Sequence, residues 1–448
     1  MNLTNAAEPL RSWHHAARFE SPDIGWVLIA TALVLLMTTG IGFFYGGLVH
    51  RKNALSVLIQ VLLTLCVVTI LWVTVGYSLS MAPSALGGFV GNLDFALLQN
   101  VGTSPPFNAA TRPATTGLLY MIFMAAFATI APAIIVGGCA ERLKLSAFTV
   151  FVPLWTLLVY CPVAKWIWGN DAGETGFFAL QNAGALDFAG GTVIHVNAGV
   201  AALVAALMVG QRRKPDRANA APHNIPFCVL GAALLWFGWF GFNAGSAGAA
   251  NNQAVVAFVN TQIAASAGGL TWFALAWAIQ RRPSAVALAS GAISGLVSIT
   301  PASGYVSTLP ALVIGIGGAV VSFTAVNSVK RLLHYDDSLD AFGVHGVAGI
   351  WGAIGTGLFA SLAVDPAGRD GVLAGNPSQM WIQLRSVLYV VVWSGGMTWL
   401  ILFVIDRLIG LRASEEDLAI GLDFAEQSQF AYSDMGRPPT KSETTPST

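Results

Sequence analysis

The sequence predicts an all-α integral membrane protein with eleven transmembrane helices. Of its 448 residues, 55% are hydrophobic and 10% are charged, whereas a soluble domain carries about 25% charged residues. The hydrophobic residues form runs close to the roughly 20 residues that a membrane-spanning helix needs. The chain also has 48 glycines, and small residues allow helices to pack closely in lipid.

The apolar runs divide the chain into three parts. We predict an extracytoplasmic segment over 1–23, a transmembrane domain over 24–409 and a polar cytoplasmic tail over 410–448. The end of the tail, 437–448, is rich in Pro, Ser and Thr and is predicted to be disordered. The fifth and eighth runs, rich in Gly and Ala, have the weakest hydropathy signal. The eleven runs cover residues 24–46, 54–78, 116–138, 146–167, 191–210, 226–247, 254–279, 284–301, 306–328, 342–363 and 380–408.

Positive charges in the connections predict the orientation. Cytoplasmic connections of membrane proteins are enriched in Lys and Arg. The other side of this chain has Arg112 and Arg369 in loops, with Lys165 and Arg385 near the ends of runs. We therefore expect the N-terminus outside and the C-terminus in the cytoplasm. The connections predicted to be cytoplasmic hold Arg51, Lys52, Arg142, Lys144, Arg212, Arg213, Lys214, Arg217, Arg281, Arg282, Lys330 and Arg331.

Two histidines lie inside apolar runs. His195 follows Asp187 at the start of the fifth run, and His345 follows Asp340 at the start of the tenth. Ionisable residues within a membrane helix are costly and mark functional paths. Because five runs separate the two segments, we predict two inverted five-helix repeats plus a final helix, with the functional site near the membrane midplane.

These residues also have structural interpretations. In the structural interpretation, each histidine is a core residue whose imidazole bonds to backbone, Ser or Thr. In the functional interpretation, the two imidazoles are in contact, line a polar path and can pass protons. Asp187 and Asp340 precede helix starts, where a carboxylate accepts hydrogen bonds from free backbone N–H groups. Asp187, on the outer side, is also a candidate for attracting a cation, and the two roles are compatible.

Aromatic side chains offer a site for a small cation. Phe123 and Phe127 lie four residues apart and so share a helix face, and Trp168 ends the fourth run. Aromatic faces attract cations by about 1–2 kcal/mol when desolvated. The alternative is that each ring packs in the core or against lipid. The remaining candidates, in the sixth run, are Trp239, Phe240, Phe242 and the hydrogen-bond acceptor Ser246.

Other functional classes are disfavoured. The formal net charge is zero, which argues against a nucleic-acid partner. The sequence has no zinc-ligand spacing, nucleophile–base set or phosphate-binding loop, so we expect no enzyme activity, no metal and no cofactor. The four cysteines lie in or beside apolar runs and are interpreted as packing residues.

Across most of the chain, the motifs resemble those of the ammonium transporter family (Amt/Mep/Rh), on the Amt side. The resemblance covers about residues 24–432. The segment from Phe242 to Ser246 favours the Amt type over the Rh type. The matching segments are Phe43–Asn53, Ala140–Arg142, Asp187–His195, Gly238–Ser246, Ile299–Tyr305, Asp340–Gly346 and Gly410–Arg412.

The resemblance implies a multi-pass transporter of the cell (inner or plasma) membrane, a homotrimer in lipid with one pore per protomer. Asp187 would be the acidic residue needed for ammonium binding or deprotonation, and Phe127 and Phe242 would form a stacked gate. The outer ammonium site would comprise Phe123, Phe127, Trp168 and Ser246. The pore below the gate would be lined by His195, His345, Trp239 and Ser290.

The implied mechanism recruits NH4+ outside, deprotonates it at the gate and conducts NH3 past the histidines, with or without a separately relayed proton. The alternatives are an ammonium sensor signalling through the tail and an Rh-like neutral gas channel. Two segments depart from the family pattern. Residues 170–182, with Asp171 and Glu174, form an enlarged loop, and Gln427–Gln429 differs in the tail. Binding of a PII-type regulatory protein to the tail is therefore left open.

Overall fold

The computed structural model describes residues 21–103, 115–218 and 221–435. Within these ranges, eleven apolar helices match the eleven predicted runs to within a few residues. The predicted 1–23 segment lies almost wholly outside the described residues, as does the predicted disordered end of the tail. The helices are α1 (Pro22–Leu48), α2 (Arg51–Met81), α3 (Gly117–Cys139), α4 (Leu145–Trp168), α5 (Gly191–Val209), α6 (Ile225–Gly245), α7 (Asn252–Gln280), α8 (Ala285–Ile299), α9 (Thr308–Leu332), α10 (Phe342–Phe359) and α11 (Ser378–Ile409).

Ten of these helices are long and apolar enough to cross a membrane, counted over the described residues. The eighth, α8, has 15 residues, in keeping with its weak hydropathy signal. The smaller elements join or follow the helices. They are a hairpin of Ser84–Ala85 with Val90–Gly91, short helices Lys214–Ala218, Glu415–Ile420 and Leu422–Gln427, and single turns Leu86–Gly88, Ala96–Leu98, Val372–Ala374 and Ser433–Met435.

Side-chain caps fix where four of the helices begin. Thr116 accepts from the backbone N–H of Leu119, at 3.2 Å, at the start of α3. The equivalent residues of α6, α7 and α8 are Asn224, Asn251 and Ser284, with bonds of 3.0, 3.0 and 3.2 Å. Each cap satisfies a backbone donor that has no partner within its helix. Polar residues at the ends of apolar runs therefore set the helix boundaries.

The helices form a bundle with an apolar outside. In α3, 94% of the most apolar stretch is buried, against 33% in α11, so α3 lies at the centre and α11 at the periphery. Large apolar side chains face outwards on the peripheral helices, with exposed fractions of 60% for Leu62, 65% for Ile70 and 66% for Val392. Such a surface suits hydrocarbon, where the helical backbone satisfies its own hydrogen bonds.

Glycines bring α5 and α10 into backbone contact. A Cβ added at Gly199 would lie 2.3 Å from the backbone N of Gly346, and one at Gly349 would lie 3.1 Å from the backbone N of Val196. Gly199 lies four residues after His195 and contacts Gly346, the residue after His345. Gly349 lies four residues after His345 and contacts Val196, the residue after His195. The two helices thus cross reciprocally and in opposite directions, as expected for equivalent helices of two inverted repeats.

The start of the tail is docked against one end of the bundle. The carboxylate of Asp423 accepts from the backbone N–H groups of Leu55 and Ser56, at 3.0 and 2.7 Å, at the start of α2. Glu426 accepts from the N–H of Leu145, at 2.9 Å, at the start of α4. Two tail carboxylates therefore cap two of the long helices.

Candidate functional site

The two sequence-predicted histidines meet inside the bundle. Nδ1 of His195 lies 3.3 Å from Nδ1 of His345, and the ring centroids are 5.3 Å apart with an interplanar angle of 26°. Their exposed fractions are 0% and 7%. Each ring sits in a six-residue π-helical turn, Gly191–Val196 or Phe342–Val347, at the start of its helix. Such turns recur at functional sites because they change the direction in which side chains point.

His195 is flanked by two aromatic rings of α6. Trp239 stacks on His195, with centroids 5.3 Å apart, and donates from Nε1 to the hydroxyl of Thr300 at 2.9 Å. The ring of Phe242 lies 5.9 Å from that of His195. The described protein offers no hydrogen-bond partner to Nε2 of His195. The histidines bond to each other rather than to backbone, Ser or Thr, so they form a polar step between apolar walls.

Two stacked phenylalanines lie beside His195. The rings of Phe127 and Phe242 are 4.3 Å apart at 16°, and both side chains are buried, with exposed fractions of 1% and 0%. They come from different helices, α3 and α6. An ion without its water shell would find no charged partner between two such rings, and an unpaired charge in apolar surroundings is costly.

The predicted outer aromatic residues gather next to this stack. Phe123 lies 4.8 Å from Phe127, and Trp168 makes an edge contact with Phe127 at 6.0 Å. Ser246 is buried, and its hydroxyl donates to the backbone oxygen of Phe242 at 2.8 Å. The structure thus brings together four residues from α3, α4 and the end of α6 that the sequence analysis grouped as one site.

A polar cavity of about 360 Å³ opens beside Trp168. Asp187 lines this cavity and is 4% exposed. The cavity is also lined by Gln181, Tyr305 and Arg369, which were not predicted as site residues. Tyr305 belongs to a motif that supports the family resemblance, Gln181 to the segment 170–182 and Arg369 to the few positive charges predicted on the outer side, but none of these signals predicted a shared cavity.

Asp187 caps α5 with both of its carboxylate oxygens. Oδ1 accepts from the backbone N–H groups of Gly190 and Gly191, at 3.0 and 2.6 Å, and Oδ2 from those of Thr192 and Val193, at 2.9 and 3.0 Å. Its backbone oxygen accepts from Nε1 of Trp168 at 2.9 Å. The capping role is therefore present, and it connects the start of α5 to the aromatic site.

The expected capping of α10 by Asp340 is wrong, because Asp337 provides the cap. Asp337 accepts from the N–H groups of Ala341 and Phe342, at 3.1 and 2.8 Å, whereas the carboxylate of Asp340 pairs with Lys330. Asp340 has a φ of +61°, so the chain turns just before α10. This turn brings the carboxylate of Asp337, three residues earlier in the chain, to the N–H groups at the start of the helix. Asp187 and Asp337 each precede a histidine by eight residues, and this equal spacing is the signal that the sequence analysis missed.

Two further predicted residues lie on α6 and α8. Phe240 stacks on Phe258 of α7, with centroids 4.1 Å apart, and so belongs to helix packing. Ser290 is half-buried on α8, ten residues before Thr300, which corresponds to roughly 15 Å along a helix. Thr300, the residue directly after α8, bonds to Trp239, and a pore-lining role for Ser290 stays a prediction.

The enlarged loop over 170–182 is held in place by a buried lysine. Nζ of Lys165 donates to the backbone oxygen of Ala82 at 2.8 Å, to that of Gly169, and to the carboxylate of Asp171 at 3.3 Å. Glu174 accepts from the N–H of Asp171 and from the hydroxyl of Ser84. The loop is thereby fixed to the ends of α2 and α4 and forms one wall of the cavity.

Known proteins share this architecture. The profile of the Ammonium Transporter Family matches residues 25–432. The ammonium transporter of Bacillus subtilis is 43% identical over 412 residues, covering 92% of this chain and 98% of that protein. The crystal structure of Saccharomyces cerevisiae Mep2 superposes with a TM-score of 0.82 at 34% identity, covering 89% of each chain. A structure described as a Sensor Amt Protein superposes with a TM-score of 0.80 at 29% identity, covering 91% of this chain and 98% of the other. This chain therefore belongs to the Ammonium Transporter Family.

Proposed function

We propose that the protein recruits NH4+ at the outer aromatic site, deprotonates it at the stacked phenylalanines and conducts NH3 past the paired histidines. The observation that carries this proposal is the buried contact between His195 and His345, directly behind the Phe127–Phe242 stack. A polar pair enclosed by aromatic rings provides hydrogen-bonding groups for a small neutral molecule but no counter-charge for an ion.

The proposed order of events follows from desolvation. Ammonium can approach the faces of Phe123, Phe127 and Trp168 and the oxygen of Ser246 while still near the polar cavity, and cation–π attraction supports it there. Beyond the stack, an unpaired charge in apolar surroundings is costly. Releasing the proton removes that cost. Potassium has no proton to release, so we expect it to be excluded.

The fate of the proton separates two versions of the mechanism. Paired imidazoles offer one donor and one acceptor each and can relay the proton alongside ammonia, giving electrogenic transport. Without a relay, the proton returns outside and the transport is neutral. Purified protein in liposomes distinguishes them. A saturable current on an ammonium pulse, absent with potassium, indicates charge movement, whereas internal alkalinisation without current indicates neutral ammonia conduction.

The sensor alternative is favoured by the likeness to the Sensor Amt Protein structure and by the docked tail. In this version the protein binds ammonium, conducts little and signals through residues 410–448. The liposome experiment also tests it. Neither current nor alkalinisation, with ammonium binding retained, would replace transport by sensing. Neutral ammonia conduction together with absent ammonium binding would favour an Rh-like gas channel instead.

The remaining assignments follow from the same proposal. The N-terminus would be outside, the C-terminus in the cytoplasm and the protein in the cell (inner or plasma) membrane. The apolar outer faces would contact lipid and two further copies in a homotrimer. The tail, 410–448, whose described part is docked against the bundle, is the proposed cytoplasmic regulatory segment and the proposed surface for a PII-type protein. Mass measurement of the detergent-solubilised protein tests the trimer, and co-purification tests the regulator.

A further inference from the structure

Arg369 places a positive charge in the outer cavity that the proposed mechanism does not use. It lines the same cavity as Trp168 and Asp187, and its side chain is exposed. Most Lys and Arg residues lie in the connections predicted to be cytoplasmic, whereas Arg369 lies in a loop on the opposite side. A cation that approaches the aromatic site through this cavity must pass near this guanidinium.

The turn at Gly184, just after the enlarged loop, lies against the arginine. A Cβ added at Gly184 would lie 2.5 Å from Nε and 2.6 Å from Cζ of Arg369, and Gly184 has a φ of +100°. A glycine at this turn therefore lets the guanidinium lie directly against the loop backbone. The charge is held at the rim of the cavity.

Within the described ranges, the charge of Arg369 is not neutralised by an ion pair. Among the described residues, no acceptor lies within hydrogen-bonding or ion-pairing distance of its guanidinium. Asp365 accepts from Gln253 and Ala367, and Asp370 accepts from Leu362. Across the cavity, Asp187 is occupied by the N–H groups of α5. The field of Arg369 therefore extends into the cavity.

We propose that Arg369 is an affinity-setting residue that lowers the occupancy of ammonium in the outer cavity by electrostatic repulsion. The inference rests on the proposed function. A cavity of about 360 Å³ is roughly 9 Å across, and Coulomb repulsion over such a distance in a wet site corresponds to a change of about twofold to fivefold in cation occupancy. Because repulsion scales with charge, a divalent cation is disfavoured by the square of that factor.

A charge series tests the proposal in proteoliposomes. The initial rate of ammonium-evoked current or alkalinisation, whichever the parent protein gives, is measured against ammonium concentration for R369K, R369Q and R369E. We expect KM to be unchanged in R369K, to fall about twofold to fivefold in R369Q and to fall by a similar ratio again in R369E. The maximal rate should change little in all three, because the guanidinium does not contact the stack or the histidines.

Salt and a distant charge provide the controls. The differences in KM should shrink as choline chloride is raised from about 0.1 M to about 1 M, since the Debye length falls from about 10 Å to about 3 Å. R281Q removes the same charge at the far end of α7, whose 29 residues separate it from the cavity side by about 40 Å. This variant should retain the parent KM.

Several outcomes would overturn the inference. They are an equal KM in R369Q and R369E, a KM change that persists at high salt, and an equal shift in R369K and R369Q. Magnesium should compete with ammonium more strongly in R369E than in the parent protein at equal ionic strength, and equal competition would contradict the predicted effect on divalent cations. Absence of any ammonium signal in the parent protein would instead contradict the proposed function.

Discussion

At the residue scale, the main feature is that four ionisable side chains at the starts of α5 and α10 are paired with each other or with backbone. His195 and His345 pair with each other, and Asp187 and Asp337 pair with the helix starts in front of them. The sequence predicted the histidine pair because two ionisable residues in matching positions of apolar runs are costly unless they are used. It did not predict Asp337 as a cap, because the cap depends on the left-handed turn at Asp340, which the residue type does not reveal.

Replacing His195 by Ala tests the polar step. We expect the ammonium flux of H195A to fall at least tenfold or its selectivity over potassium to be lost, because the polar step loses one of its two imidazoles and His345 loses its hydrogen-bond partner. The measurement is ammonium flux and potassium conductance in proteoliposomes. H334A, at an exposed histidine, is the matched control and should behave like the parent. Unchanged, selective uptake by H195A would exclude the proposed role.

Two substitutions of Asp187 separate its role as a helix cap from a role of its charge in attracting ammonium. D187N retains one oxygen acceptor, while D187A removes all four hydrogen bonds to the start of α5. If capping dominates, D187A should unfold at a lower temperature than D187N, since loss of a cap costs about 0.5–2 kcal/mol. If the charge also attracts ammonium, both variants should have a raised KM. Thermal unfolding in detergent and transport kinetics test the two effects separately, and a KM equal to the parent value in D187N would confine Asp187 to capping.

At the element scale, the site depends on how α5 and α10 cross. The sequence placed both helices and their histidines, since hydropathy and spacing are local properties. It did not give the contact between Gly199 and Gly346, because each of the many glycines in the chain is an equally good candidate for close packing. The selection is made by tertiary structure, where only particular glycines face another backbone.

G199A tests this crossing. Its Cβ would lie 2.3 Å from the backbone N of Gly346, so the helices must separate and the histidine pair must open. We expect thermal unfolding several degrees below that of the parent, together with a loss of flux. G396A is the matched control on α11, since no atom lies within 4 Å of its added Cβ. Parent-like stability and flux in G199A would show that the crossing tolerates separation.

A cluster of charges joins the connections at one end of the bundle. His50 donates to Glu141 at 2.6 Å, and Arg212 pairs with Glu141 and with Asp336 at 3.0 and 2.9 Å. The hydrogen bond with Glu141 raises the pKa of His50 above its ordinary value. Burial alone would raise the pKa of Glu141, but the bonds and charges of His50 and Arg212 lower it to about 2.

This cluster predicts a loss of stability at alkaline pH. Because the pKa of His50 is raised in the folded protein, its stabilising contribution is complete below the ordinary histidine pKa of about 6.5 and is lost as pH rises through the folded value. The unfolding temperature of the parent protein should therefore fall between about pH 6 and pH 9. The unfolding temperature of H50Q should fall less over that range. Equal losses in both proteins, measured by thermal unfolding at each pH, would contradict a contribution from His50.

At the scale of the whole molecule, composition and run lengths were sufficient to predict the fold class. They were not sufficient to predict which residues assemble into the candidate site. The resemblance to a family, and not residue spacing, grouped the outer aromatic site of Phe123, Phe127, Trp168 and Ser246. These residues come from three helices that meet through packing, which hydropathy does not encode. The docked tail is a second example. Its carboxylates at Asp423 and Glu426 cap helices that begin hundreds of residues earlier, and nothing local in the sequence indicates these partners.

The docked tail gives a prediction for the molecule as a whole. The double variant D423A/E426A removes the caps of α2 and α4, so the tail should detach, become sensitive to protease and lower the unfolding temperature. We expect the maximal transport rate to fall while KM is retained, because the aromatic site lies at the other end of these helices. E416A, which removes the charge of an exposed residue of the same tail, is the control. A changed KM with an undisturbed tail would contradict this assignment and would connect these carboxylates to ammonium binding itself.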